Sequence, residues 1–243
     1  MINEYCIISV DDTRDANKNR IRDLMSWPEA KVDFVDGRIP EVLRSAKQKW
    51  HSVSTPGPYK AGEFGIFYSV LNCLEYGADN SGILYFEDDA IPVDDFEKRM
   101  EIYVDRLPND ADVFAVWSPH NQKGDYRNIR EFDSGGVPKY GRKSTPVSIF
   151  EYGDPELSRL WQGYGNVAMA FTKRGCEKTL EYVHEKGFFS PIDCLICIGS
   201  HTGRLNGYAL KPQAASLVNY NWNRPTTIHQ SKWDYIEKLM EEK

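Results

Sequence analysis

The chain of 243 residues contains no apolar run near the length, about 18 residues, that reads as a membrane-spanning helix. No transmembrane segment is expected. Its first residues, MINEYCIISVDD, are apolar only briefly. They lack a basic start and a small-residue cleavage site, so no signal peptide is expected either. Cysteine is scarce and odd in number. Cys6, Cys73, Cys176, Cys194 and Cys197 make no disulfide-scaffold spacing, and a reduced cytoplasmic protein is the expectation. Cys194 and Cys197 form a CxxC, but no second pair stands at a zinc-site spacing, which favours two buried helix cysteines. Positive charge is not in excess: the formal net charge is −6, so a whole-surface basic footprint for nucleic acid is missing. Internal repeats, low-complexity tracts and a glycine/lysine-rich phosphate loop are also missing.

What is present is ordinary in amount, with 41% hydrophobic and 27% charged residues, and informative in order. Residues 4–10 (EYCIISV) predict a buried strand, followed by a charged helix in DTRDANKNRIRDLM. KVDFV (31–35) predicts a second strand closed by the turn pair Asp36-Gly37. Pro40 suits the first position of a helix through Trp50. Phe64, Phe67, Leu71 and Leu74 recur at helical spacing, with Gly77 as the stop. GILYF follows as a strand, then a helix opened by a capping box of Asp94 and Glu97. ADVFAVW (111–117) and NVAMAF (166–171) predict two more strands, and Thr172 a cap for the helix behind the latter. Ser190-Pro191 predicts the cap and first position of the next helix. YALK and SLVNY predict a closing pair of strands, and SKWDYIEKLMEEK a tail helix. Alternating elements of this kind imply an α/β fold, a mixed, mostly parallel sheet flanked by helices.

Residues 118–146 break the rhythm and predict a long loop. Its window 121–145 carries six basic residues against three acidic ones. Such a window could clamp substrate phosphates, meet an anionic acceptor, or be a solvated loop.

The sharpest feature is GILYFEDDAIP (82–92), where an apolar strand runs into Glu87, Asp88 and Asp89. Two like charges about 4 Å apart repel by about 1 kcal/mol in water and about 4 kcal/mol at an effective dielectric of about 20. Solvent, a basic side chain or a bound cation must offset this. In open α/β sheets ligands lie beyond the carboxyl ends of strands. Hard cations such as Mg²⁺ and Mn²⁺ take one or two carboxylates there together with substrate phosphates. The plainer alternative is a solvated turn.

Five segments, in order, resemble glycosyltransferase family 25, the lipopolysaccharide-type β-galactosyltransferases and their relatives. They are YCIISVDDTRDANKNRIRDLM, FVDGR, GEFGIFYSVLNCLEYG, GILYFEDDAIPVDDF, and GYGNVAMAFTKRGCEKTL with SPIDCLI. The resemblance implies a GT-A-like, Rossmann-type fold and a single glycosyltransferase domain over residues 1–243. Residues 1–117 would bind the nucleotide-sugar, 118–146 would form a flexible basic loop, and 147–243 would carry acceptor and catalytic groups. It implies inverting transfer from a UDP-sugar with Mn²⁺ or Mg²⁺. By that implication Asp89 is the principal metal ligand, and Glu87 and Asp88 contact the metal or ribose. His229 is a candidate further ligand. Ser9, Val10, Arg14 and Asp36 fall where the nucleotide is held, and Asp193 matches the Pro-x-Asp carboxylate, a candidate general base. Gly163, Tyr164 and Gly165 would let backbone approach the sugar, or form an ordinary turn. Two departures stand out: Asp11-Asp12-Thr13-Arg14 replaces an Asp-Arg-Arg-like run, and Ser69-Val70 replaces Ser-His. The acceptor expected is a saccharide; a hydroxylated base in DNA and a catalytically inactive sugar- or nucleotide-binding module are the alternatives.

Overall fold

A computed structural model describes residues 2–9, 15–37, 39–50, 61–117, 127–132, 138–144, 153–160, 167–188, 191–211 and 214–220. Strands β1 (Tyr5–Ile8), β2 (Gly82–Glu87), β4 (Val113–Trp117), β7 (Leu157–Arg159), β8 (Ala168–Thr172) and β9 (Gly207–Leu210) form a six-stranded sheet in the order β1-β2-β8-β4-β9-β7. β1, β2, β4 and β9 run one way, and β8 and β7 run against them. The expected mixed α/β sheet flanked by helices is what the chain forms, and strands from its second half complete a sheet begun by its first.

The pleat of β2 explains the layers. Ile83 and Tyr85 face one apolar layer with helices α2 (Pro40–Trp50), α3 (Ala61–Asp79), α5 (Lys173–Lys186) and α6 (Ile192–His201). Leu84 and Phe86 face the other, with α1 (Asp15–Leu24) and α4 (Phe96–Arg106). A strand covered on both faces has no polar alternation to show, and β2 is buried along all but its last residue, Glu87. α3 is apolar nearly all round, as befits a buried helix, with Phe64, Phe67, Val70 and Leu74 wholly covered. Thr172 caps α5 as expected, its hydroxyl accepting from the Gly175 amide at 3.0 Å.

Several expectations are corrected. KVDFV is not a strand; only Glu29 bridges to Tyr5. Side chains of α3 do the work of a ladder instead. The Val35 amide donates to Ser69 Oγ at 2.8 Å, and Asn72 Nδ2 donates to the Asp33 carbonyl at 2.8 Å. Gly77 does not stop α3. It sits within the helix, where a Cβ would meet Cys176 Sγ at 2.6 Å. Glu97 does not close a capping box, since the cap of α4 is Asp95 without a side-chain bond. Its carboxylate instead accepts from the amides of Ser26 and Trp27 at 2.6 and 2.7 Å, fastening the chain behind α1. Pro191, rather than Ser190, holds the cap position of α6.

The stretch read as a loop contains an antiparallel hairpin, β5 (Arg127–Phe132) with β6 (Pro138–Ser144), whose register shifts twice. YALK and SLVNY do not pair with each other. The first is β9, between β4 and β7, and the second supplies β10 (Val218–Tyr220), antiparallel to β3 (Ala90–Pro92). The tail read as a helix lies outside the described residues. Among the described residues no helix is long and apolar enough to cross a membrane.

At the end of the sheet away from the acidic turn, Asp112 is wholly buried. Its carboxylate accepts from Lys178 Nζ at 2.7 Å, Arg174 Nε at 2.8 Å and the Asn206 amide at 2.9 Å. Burial by itself raises the pKa of this carboxyl. The bonds from Lys178, the Asn206 amide and Arg174 outweigh burial and leave it below the usual aspartate range. Asp112→Ala should therefore lower the unfolding free energy by about 2 kcal/mol at neutral pH. The cost is smaller than for a fully buried pair because Arg174 and Lys178 remain well exposed. The folded carboxyl is the stronger acid. Its contribution is complete above the unfolded value of about 3.9 and is lost as pH falls through the lower folded value. Urea-unfolding curves of both proteins should show the gap at pH 7 and its closure in strong acid.

Candidate functional site

The carboxyl ends of β1 and β2 lie side by side, Ile8 opposite Glu87. β2 there ends in the acidic triplet and turns into β3. The turn is pinned at three points. The Glu87 amide donates to the Val167 carbonyl at 2.8 Å, the Asp88 amide to the Ile8 carbonyl at 3.0 Å, and Ser9 Oγ to Asp88 Oδ2 at 2.7 Å. Asp88 and Ser9 are both buried, at 3% and 6% exposure. The middle carboxylate is thus a structural acceptor turned inward. Glu87 and Asp89 flank it, each partly exposed.

Among the described residues no group of three or more His, Cys, Asp or Glu side chains is arranged to hold a metal ion. The triplet is not a preformed cage. Two partly exposed carboxylates are nonetheless the donor set that Mg²⁺ or Mn²⁺ uses when substrate phosphates supply the other oxygens, and Glu87 and Asp89 fit that chemistry.

Asp193 occupies the first turn of α6, its Oδ1 accepting from the Cys194 amide at 2.8 Å. The helix dipole favours an anion there. Tyr85, two residues before Glu87 on β2, reports on the surroundings. Burial pushes its phenol well above the usual range, and the charges of Glu87 and Asp193 push it further. Glu87, two residues on, has the pleat parity of Tyr85, and Tyr85 faces the layer that contains α6. Asp193 also raises the buried Cys197 thiol, second to the burial itself. Cys194 and Cys197 both lie in the core.

A cleft of about 260 Å³ opens beside β1, its walls including Ser9, Lys18, Arg22, Lys31, Asp33 and Phe34. Lys18 and Arg22 come from α1, and Arg22 is held by Glu29 through its Nε at 2.7 Å. Phe34 leaves 41% of its surface exposed, an aromatic face available for stacking. The chain that carries Phe34 is held from behind by α3, whose Ser69 and Asn72 bond the backbone at Val35 and Asp33. A Cβ at Gly65 would fall 2.6 Å from the Val35 carbonyl oxygen and 2.8 Å from the Gly37 amide nitrogen, so only glycine lets the 35–37 turn rest on the helix. A second cavity, about 460 Å³, lies at the other end of the sheet. The carboxylate on its wall is Asp112, already committed to Arg174 and Lys178.

Of the residues expected at the nucleotide, Ser9 lies on the cleft wall and Asp36 sits in the turn beyond it, outside the lining. Val10, Arg14, Gly163, Tyr164, Gly165 and His229 lie outside the described residues. Val70, where the resembling family has histidine, is wholly buried in the apolar layer of α3. Core packing takes the place of a site contact there. Sequence reasoning missed Lys18, Arg22, Asp33 and Phe34. The spacing of Lys18 and Arg22, four residues on one helix face, was a readable signal. Phe34 was hidden by its likeness to a strand residue.

The sequence matches no family model and no curated protein. Among solved structures, it is similar to the apo form of mouse xyloside xylosyltransferase 1. The identity is 12%, 83% of this chain and 70% of that chain are covered, and the TM-score is 0.34. A likeness of that size carries no assignment. The fold class stands on the topology described above.

Removing the Ser9 hydroxyl leaves Asp88 short of a partner in a buried position. Ser9→Ala should cost about 1–2 kcal/mol in urea unfolding. An unchanged midpoint and slope would mean that the hydroxyl does not hold the turn.

Proposed function

We propose that the chain is a glycosyltransferase that moves a sugar from a UDP-sugar to an acceptor hydroxyl, with inversion at the anomeric carbon. The observation that supports this most is the double role of Ser9. It lines a nucleoside-sized cleft and bonds the acidic turn, so base site and diphosphate site would adjoin. Phe34 would stack on the base, with Lys18 and Arg22 of α1 also lining the cleft. Glu87 and Asp89 would hold Mn²⁺ or Mg²⁺, with His229 a further ligand. Such a cation, when bound, neutralises charge on a departing diphosphate.

The chemistry left to the protein is a proton transfer. As the acceptor oxygen attacks the anomeric carbon, Asp193 takes the hydroxyl proton and the nucleotide leaves with the electrons of the broken C–O bond. A carboxylate positioned this way contributes about 10²–10⁴-fold. Its place in the first turn of α6 favours the negative charge of a carboxylate. The five-segment resemblance supports a saccharide acceptor.

UDP release from UDP-sugars with Mn²⁺, with and without chelator, tests the reading. Asp193→Asn should lower kcat by about 10²–10⁴-fold with little change in donor KM. Asp89→Ala should remove the metal-dependent rate. Turnover unimpaired in both variants would overturn the assignment. Phe34→Ala should raise donor KM about tenfold, the weight of one base–aromatic stack, as read from initial rates across UDP-sugar concentrations.

A further inference from the structure

The apolar layer under α3 holds three thiols brought together from three elements. Cys6 comes from β1, Cys73 from α3 and Cys176 from α5, all buried. The sulfurs of Cys6 and Cys73 stand 2.9 Å apart, across 67 residues of chain. Cys176 Sγ lies one turn further along α3, against Gly77. None of the three lines the cleft, and the proposed transfer uses none of them.

We propose that Cys6 and Cys73 are a disulfide-forming pair that closes when the chain folds in the presence of a disulfide oxidant of the oxidised-glutathione class. One cysteine thiolate attacks the glutathione disulfide, forming a mixed disulfide and releasing one glutathione thiolate. The second cysteine thiolate attacks the protein sulfur of that mixed disulfide. The protein S–S bond forms, the mixed bond breaks, and a second glutathione leaves. Two protein thiols are oxidised and one glutathione disulfide is reduced to two thiols.

Folding is the moment for this chemistry because the thiolate is the nucleophile. In the folded protein, burial and then the neighbouring Cys73 push the Cys6 thiol up, and burial likewise raises Cys176. Once packed, the thiols are slow, and the redox state set during folding is retained. The bond would join the strand that leads to Ser9 to the helix whose Ser69 holds the Val35 amide. It would therefore tether the supports of the two cleft walls. The inference stands on the thiol geometry alone and is independent of the transferase assignment.

The full chain is unfolded and refolded in a glutathione redox buffer, its remaining thiols are alkylated, and it is digested without reductant for mass spectrometry. The expected result is a Cys6–Cys73 cross-linked peptide and the loss of two of the five free thiols. The thermal midpoint should lie about 10 °C above that of the reduced protein, as expected for closing a long loop. The shift should vanish in Cys73→Ser and persist in Cys197→Ser. Five free thiols after refolding, a Cys73–Cys176 bridge, or equal midpoints with and without reductant would each overturn the proposal. The peptide map on the unmodified sequence gives this answer whether or not the variants fold.

Discussion

The arrangement of the site depends on one buried hydrogen bond, from Ser9 Oγ to Asp88 Oδ2. A carboxylate at 3% exposure would be costly without a bonded partner. Asp88 sits between two other carboxylates, which adds repulsion. Turning it inward onto the end of β1 gives the middle charge a donor, and Glu87 and Asp89 on either side are only partly buried. The question raised by three adjacent acids at the end of a buried strand therefore has a two-part answer. One acid is absorbed by the fold, and the two beside it are the ones proposed for ligand chemistry.

The same economy runs through the walls around it. α3 is a core helix, yet two of its polar side chains reach out to hold the 33–35 backbone. That backbone makes no ladder of its own. Gly65 clears the space in which the 35–37 turn lies against the helix. The cleft beside β1 is thus built from irregular chain secured on a rigid element, which suits a binding surface better than a strand edge. At the opposite end of the sheet, Asp112 shows what a purely structural acid looks like. It is wholly buried, with two cations and a backbone amide as partners. Glu87 and Asp89 are placed otherwise, which is why the larger cavity on the Asp112 side is not the candidate site.

Much of the frame was legible because its signals are local. Apolar runs gave β1, β2, β4 and β8, the Pro40 start gave α2, and Thr172 gave the cap of α5. What was missed depended on tertiary partners. KVDFV has strand composition, but Ser69 and Asn72 satisfy its backbone from a helix. Gly77 reads as a stop because its reason for being glycine, Cys176, comes from α5 about a hundred residues later in the chain. Glu97 fits a capping box by spacing, yet the amides behind α1 claim it. β3 and β7 span three residues each, too short for alternation to register. In the site, the acidic turn and Asp193 were visible as motifs. The inward orientation of Asp88 and the part of Phe34 in the cleft were not, since both depend on which element packs alongside.

The central claim is that the acidic turn and the adjoining cleft form one nucleotide-diphosphate site whose charge needs a divalent cation. Calorimetric titration of UDP into the full chain tests this directly. Binding should appear with Mn²⁺, disappear with chelator, and be weakened by Glu87→Gln, while the protein stays folded throughout. Binding of equal strength with and without metal, or none under either condition, would contradict the account.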